Sequence, residues 1–200
     1  MAKSTYTYEF IEIDAPRIDD ACGAYFKWKD LNSYVSKNST RGINMPDVIS
    51  EPIGCYCLDL LWNKGKGGDA TDPKTNKKIE FKATSRFEGD LSSFGPKCEF
   101  DNLVFLRFLV EENLVFIYDL NINSAEFGEH KANKTQTIAE QKAQGRRPRV
   151  SLYETFVKAK NLKPDCIFDI RRIKVHKAGS TEYEGYMNRF HGEHNDHDDE

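Results

Sequence analysis

Apolar positions along the chain fall into two kinds of run, and each kind predicts a different element. Over residues 17–37, Ile18, Cys22, Tyr25, Phe26, Leu31 and Val35 recur at intervals that gather on one side of a helix. Gly23 is a weak position within it. A second helix is predicted over 50–62, where Ile53, Tyr56, Cys57, Leu60 and Leu61 form the buried stripe. Ser50 is an N-cap type, and Pro52 suits a first turn in which its missing N–H does no harm. The stretch NSTRGINMP between these helices reads as a loop. By contrast, 103–110 (LVFLRFLV) and 114–120 (LVFIYDL) are almost unbroken apolar runs separated by Glu111, Glu112 and Asn113. They predict paired central strands covered on both faces. Residues 6–13 and 166–170 predict further strands, and 151–160, with Leu152, Phe156 and Val157, another helix. Helical and strand patterns interleave, so the expected class is α/β, a mixed central sheet of four to five strands flanked by helices.

The stretch GDATDPKTNKKIEFKAT, residues 68–84, reads as two short strands around a tight turn at 73–76. That register sets Asp69 opposite Glu80. Alternation along the second strand then sends Ile79 and Phe81 into the core and leaves Glu80 and Lys82 together on the other face. Two carboxylates and an ammonium on one face suit a divalent cation and a hydrolytic water. Asp69 and Glu80 are the candidate ligands, and the Phe81 carbonyl offers a third oxygen. Lys82 is placed to orient or help deprotonate the attacking water and to offset charge in the transition state. Asp72 competes for the role of first acid, but this register sets it opposite Lys77, a strand turn away from Glu80. An ordinary surface hairpin with a charged wet face is the plainer reading of the same residues. After the hairpin, 85–101 reads as a loop-rich connection.

Composition narrows the setting. Apolar residues make up 38% of 200 and charged residues 30%, a globular chain long enough to bury a core. No run approaches the roughly 20 apolar residues of a membrane span. MAKSTYTYEF carries no signal-peptide core, so a cytoplasmic location is expected. The five cysteines lack the paired spacing of a zinc site and read as reduced, mostly buried thiols. The formal charge of -3 becomes +2 without the five acids of the last ten residues, HGEHNDHDDE. We therefore expect one domain over 1–190 and a disordered acidic tail over 191–200, with His191, His194 and His197 in the tail rather than in a metal site.

Residues 131–150 hold six Lys or Arg and one acid, Glu140. A polar insert of this length is a candidate for phosphate and groove contacts. Arg146, Arg147 and Arg149 suit guanine edges or phosphates, Lys134 suits phosphates, and Asn133, Gln136, Gln141 and Gln144 can donate and accept at base edges. A solvated basic loop is the plainer alternative. Ser85, Ser92, Ser93 and Lys97, just after the hairpin, are candidates for holding the scissile backbone.

The pattern of Asp69, ten intervening residues and Glu80-Phe81-Lys82, preceded by a helix and followed by two apolar strands, resembles the PD-(D/E)XK nucleases. SEPIGCYCLDLLW, GGDATDPKTNKKIEFKATS and GRRPRVSL are similar to small type II restriction endonucleases, within these to the group cutting GCNGC-type sites. The likeness spans roughly residues 40–172. Gly68 stands where the motif's name has Pro. The resemblance implies a restriction-endonuclease-like sheet, Mg2+ dependence with Mn2+ able to substitute, and Ca2+ supporting binding without cleavage. It also implies double-stranded DNA cut at a short, symmetric or interrupted, GC-rich site, a homodimer, and a cognate DNA methyltransferase in the host. An acid on the preceding helix points to Glu51, with a helix-dipole role as its plainer alternative. Repair nickases or junction resolvases of the same superfamily, and a non-catalytic DNA-binding regulator, are the competing functions.

Overall fold

The computed structural model describes residues 10–64, 68–87 and 89–190. Most of the predicted opening strand and the acidic tail with its histidines lie outside them. Helix α1 (Ala15–Asn38) starts where Asp14 accepts the Arg17 N–H at 3.1 Å and a proline occupies the first turn. Helix α2 (Asp47–Leu58) begins directly after Pro46 and stops at Asp59 in the left-handed conformation. It starts three residues earlier than the pattern suggested, so Pro52 lies inside it and Glu51 in its second turn.

The strands are β1 (Phe10–Ile11), β2 (Leu61–Asn63), β3 (Ala70–Thr71), β4 (Lys78–Thr84), β5 (Ser92–Ser93), β6 (Asn102–Leu109), β7 (Leu114–Asp119), β8 (Arg149–Val150), β9 (Cys166–Asp169) and β10 (Lys174–Lys177). Eight form one sheet in the order β1-β2-β3-β4-β6-β7-β9-β10, and β5 pairs with β8 separately. The sheet is mixed: β4 and β6 run parallel and the other named pairs antiparallel. The sheet has eight strands where four to five were expected; among those unread is β2, whose three residues are too short for a hydrophobic period and whose Leu61 and Trp62 were assigned to the end of the helix predicted over 50–62, whereas α2 stops at Leu58. The polar, half-exposed β10 carried no signal either.

Alternation sorts the central strands into two cores. Val104, Leu106, Phe108, Val115 and Ile117 face α1 and α2, where Tyr25, Trp28, Ile49 and Ile53 are buried. Leu103, Phe105, Leu114, Phe116 and Tyr118 face a second layer. That layer comprises α3 (Ser124–Gly128), α4 (Ile138–Ala143), a π-helical turn (Tyr153–Lys158) and α5 (Thr181–Phe190). The expectation of central strands covered on both faces is met. No described helix is long and apolar enough to cross a membrane.

Candidate active site

Strand β4 carries chemistry on one face because its other face is locked into the core. Ile79 and Phe81 are buried, and a Cβ placed on Gly54 of α2 would stand 2.7 Å from Phe81 Cε1. Only glycine permits that approach of helix to strand. Glu80 and Lys82 therefore face the second layer, half-buried, beside the buried Leu103 and Phe105 of the parallel neighbour.

The hairpin holds the predicted register. Ala70 pairs with Ile79 and Thr71 with Lys78, and the Asp69 N–H donates to the Ile79 carbonyl at 3.0 Å. Asp69 Oδ2 accepts the Phe81 N–H at 2.7 Å, which ties its carboxylate to the residue between Glu80 and Lys82. Lys82 Nζ donates to Glu80 Oε1 at 2.5 Å and to the Phe81 carbonyl at 3.2 Å, and stands 5.2 Å from the Phe94 ring centre. Gly68 has φ of +110°, a conformation proline cannot adopt. The departure from the family's Pro is thus a backbone requirement of this turn.

Burial sets the electrostatics. Desolvation first, and then the charge of Glu80, push Asp69 up to about 6, against the Phe81 N–H and Lys82, which lower it. Desolvation and then the charge of Asp69 push Glu51 up to about 8, although Trp62 Nε1–H donates to its Oε2 at 2.7 Å. For Lys82 desolvation works downward, but the charges of Glu80 and Asp69 prevail and raise its pKa, favouring the ammonium. Glu51 thus belongs to the acid group. Its helix-dipole alternative loses its basis, because the acid in the first turn of α2 is Asp47. Asp47 also raises both Glu51 and Asp69, a contribution the motif did not reveal.

Asp72 does other work. Its carboxylate accepts the Lys74 N–H at 2.8 Å and the Thr75 hydroxyl at 2.5 Å, closing the hairpin turn. Among the described residues, no group of three or more His, Cys, Asp or Glu side chains is gathered tightly enough to enclose an ion by itself. The donor set still fits a hard cation that keeps several waters: carboxylate oxygens of Asp69 and Glu80, the Phe81 carbonyl, and buried acids whose raised pKa values a positive charge would relieve.

The residues assigned to DNA divide by exposure. Ser92 is buried and its hydroxyl donates to Asp90 Oδ2 at 2.8 Å, whereas Ser85 and Ser93 are half-buried and Lys97 exposed. The 131–150 segment is ordered around α4, with a capping box between Thr137 and Glu140 and Ile138 fully buried. Asn133 Oδ1 accepts the Thr135 and Gln136 N–H groups, so its carbonyl serves a turn. Gln136 Oε1 receives Arg146 at 3.0 Å and Gln141 at 3.4 Å, and Gln136 Nε2 reaches Gln144 at 3.3 Å. Gln141 is buried, while Lys134, Arg146, Arg147 and Arg149 are exposed.

Four further residues escaped the pattern. The Cys98 thiol is hydrogen-bonded to Glu80, and its pKa is pushed up to about 12 by burial and then by that carboxylate. Lys142 of α4 donates to the Cys98 carbonyl at 2.5 Å, bringing the basic segment against the acid site. Asp90 accepts from Ser92, from the Ser151 hydroxyl at 2.9 Å, and from the Leu152 and Tyr153 N–H groups at 3.0 and 2.9 Å. Arg107, buried in β6, donates to the Phe87 carbonyl and lies 4.1 Å from the Phe87 ring centre and 3.9 Å from that of Tyr153. A charge inside the apolar run LVFLRFLV was the available signal for Arg107. Isolated Asp90 and Cys98 carried none.

The family model of the Bsp6I restriction endonuclease matches residues 13–159, which include every element described around β4. The chain is 42% identical over 170 residues to the type II restriction enzyme Bsp6I of Bacillus sp. (strain RFL6), covering 85% of this chain and 98% of that relative. No solved structure matches it significantly. With the matched span enclosing the acid site and the relative covered almost from end to end, the chain belongs to the Bsp6I restriction endonuclease family of type II restriction enzymes.

Proposed function

We propose that this restriction endonuclease hydrolyses phosphodiester bonds through Asp69, Glu80 and Lys82, with Mg2+ as its ion. Type II restriction enzymes as a class use divalent metal ions and act on double-stranded DNA. The carrying observation is the convergence of these three side chains on one face of the hairpin, two of them with pKa values displaced by burial and by one another. Asp69, Glu80 and the Phe81 carbonyl would hold the ion, and Glu51 would support it from α2 directly or through a water. Bound there, a divalent cation supplies a water of lowered pKa and positive charge beside the phosphate.

Lys82 enters as an ammonium. It orients the attacking water by donating from Nζ and places positive charge beside the oxygens that gain charge in the transition state. Glu80 Oε1 keeps that ammonium in place, and the Phe94 ring screens it from solvent. Exposed Lys97, Lys134, Arg146, Arg147 and Arg149, with Ser93, supply phosphate and base-edge contacts. Asn133 and Gln136 contribute their remaining amide donors, and the buried Ser92 acts through Asp90. The substrate would be a short symmetric or interrupted GC-rich site cut by a homodimer, one strand per subunit, with a methyltransferase protecting the same site.

Plasmid digestion tests the assignment. With Mg2+ or Mn2+ the protein should give discrete, reproducible fragments, and Glu80→Ala and Lys82→Ala should each cut about 100- to 1,000-fold more slowly, on the order of effects seen when preorganised charge is removed. Duplex binding in Ca2+ should survive both substitutions. Undiminished cutting by either variant refutes the site. Preference for mismatched or branched duplex would shift the reading to a repair enzyme.

A further inference from the structure

The outer face of the small β5·β8 ribbon combines exposed arginines with an exposed leucine on a hydrogen-bonded backbone. Ser92 pairs with Val150 and Ser93 with Arg149, and the Phe94 N–H donates to the Pro148 carbonyl at 3.1 Å in the same register. Alternation then gives the ribbon two distinct faces. Ser92, Phe94, Pro148 and Val150 are buried, and the Phe94 ring centre is 4.5 Å from that of Phe127. Leu91, Arg147 and Arg149 point outward with Ser93, and Leu91 is 63% exposed.

A single exposed leucine is ordinary on a protein surface. This one differs in what holds it. Asp90, immediately before it, accepts three hydrogen bonds that join the loop to the start of the π-helical turn and a fourth from Ser92, which sits in the ribbon immediately after Leu91. The backbone on both sides of Leu91 is thus held by hydrogen bonds. Phe94, three residues along and on the buried face, packs against Lys82, and at roughly 3.3 Å per strand residue its Cα is about 10 Å from that of Leu91. A two-stranded ribbon fits the major groove of duplex DNA. There arginines read guanine edges and an apolar side chain meets the C5 edge of a pyrimidine.

We propose that the β5·β8 ribbon is the DNA-reading element of this enzyme, entering the groove beside the scissile phosphate, and that Leu91 makes its apolar base contact and determines specificity. The proposal rests on the catalytic assignment of β4 for its position and adds the element that selects the sequence. Ser93 stands opposite Arg149 on this face, with Leu91 two residues to one side along its strand and Arg147 two residues to the other along the partner strand. Leu91 contributes no charge, so its contribution must appear in discrimination between sequences and not in attraction to phosphate.

The test is binding in Ca2+ to two plasmid-derived duplexes of equal length, one spanning a mapped cleavage position and one containing none. Leu91→Ala should weaken binding to the first by about tenfold and leave the second unchanged, as expected for one base contact. The salt dependence of binding should stay at its wild-type slope, whereas Arg149→Gln should make it shallower. Leu91→Met should retain most of the discrimination. An unchanged affinity ratio in Leu91→Ala, or an equal loss on both duplexes, overturns the proposal. Glu80→Ala measured alongside separates the two assignments: cutting by that variant refutes the catalytic site, and an unchanged ratio in Leu91→Ala refutes only the reading role.

Discussion

Glu51→Gln should stabilise the metal-free protein at alkaline pH while leaving it unchanged in acid. Glu51 is held up to about 8 by burial and by Asp69, from an ordinary glutamate value of 4.5. The unfolded chain therefore releases this proton near 4.5, and the folded chain releases it only near 8. Between those values the fold retains a proton that the unfolded chain has lost, so stability falls as pH rises, by about 1.4 kcal/mol per unit. Across the whole window the loss reaches at most ~5 kcal/mol. Glutamine keeps the size and can still accept the Trp62 Nε1–H, but it carries no charge to desolvate.

The assay is thermal unfolding followed by circular dichroism in chelator, from pH 4 to 9, for wild type and variant. The two should melt together near pH 4 and separate progressively above it. At pH 9 the variant should melt about 10 °C higher, since 1 kcal/mol moves the midpoint by roughly 2–4 °C in a chain of this length. Mg2+ should close most of that gap by stabilising the wild type. Superimposable midpoints across the pH range would refute the reasoning, because they would mean that Glu51 is not a buried charge in the folded state.

Three further predictions follow from the same geometry. Asp69→Asn should abolish cleavage, whereas Asp72→Ala should leave cleavage within a few-fold of wild type and lower the melting point by only a few degrees. Plasmid digestion and melting curves distinguish the two acids. Asp69 is pushed up to about 6, so the Mg2+ concentration giving half-maximal cleavage should fall by up to tenfold per pH unit up to about pH 6 and more gently above it; a flat dependence would contradict a buried acid ligand. Gly54→Ala should cost ~1–3 kcal/mol, because its methyl would drive into the Phe81 ring, and should also lower kcat by displacing Glu80 and Lys82.

The parts of this molecule that could be read from sequence are those governed by a local period. The apolar runs of β6 and β7 require burial on both sides wherever they are placed, and both were located to within a residue. The hairpin register followed from one turn and the alternation of side chains, which is why Asp69 and Glu80 were paired correctly. The start of α2 was misplaced because Ser50 looks like a cap, whereas the chain turns helical directly after Pro46. A short strand such as β2 exists because its neighbours pair with it, and no period fits in its three residues. Asp90 and Lys142 act through partners between 44 and 63 residues away in sequence, and such meetings, like that of the Cys98 thiol with Glu80, are products of tertiary folding.

The site's location follows from one strand performing two tasks. Phe81 must press against Gly54 for α2 to reach the sheet, and alternation then obliges Glu80 and Lys82 to face the second layer. Asp69 is desolvated beside them, while α2 brings Glu51 close enough for the charges of Asp69 and Glu80 to raise its pKa. An apolar residue at these positions would give a more stable metal-free protein. Retaining acids there makes the folded state favour whatever supplies compensating positive charge, first Lys82 and, on the proposed assignment, a divalent ion. On that assignment, affinity for the ion and the instability of the metal-free site would have the same origin. A substitution that improves stability by removing a buried carboxylate should weaken metal binding by a comparable free energy.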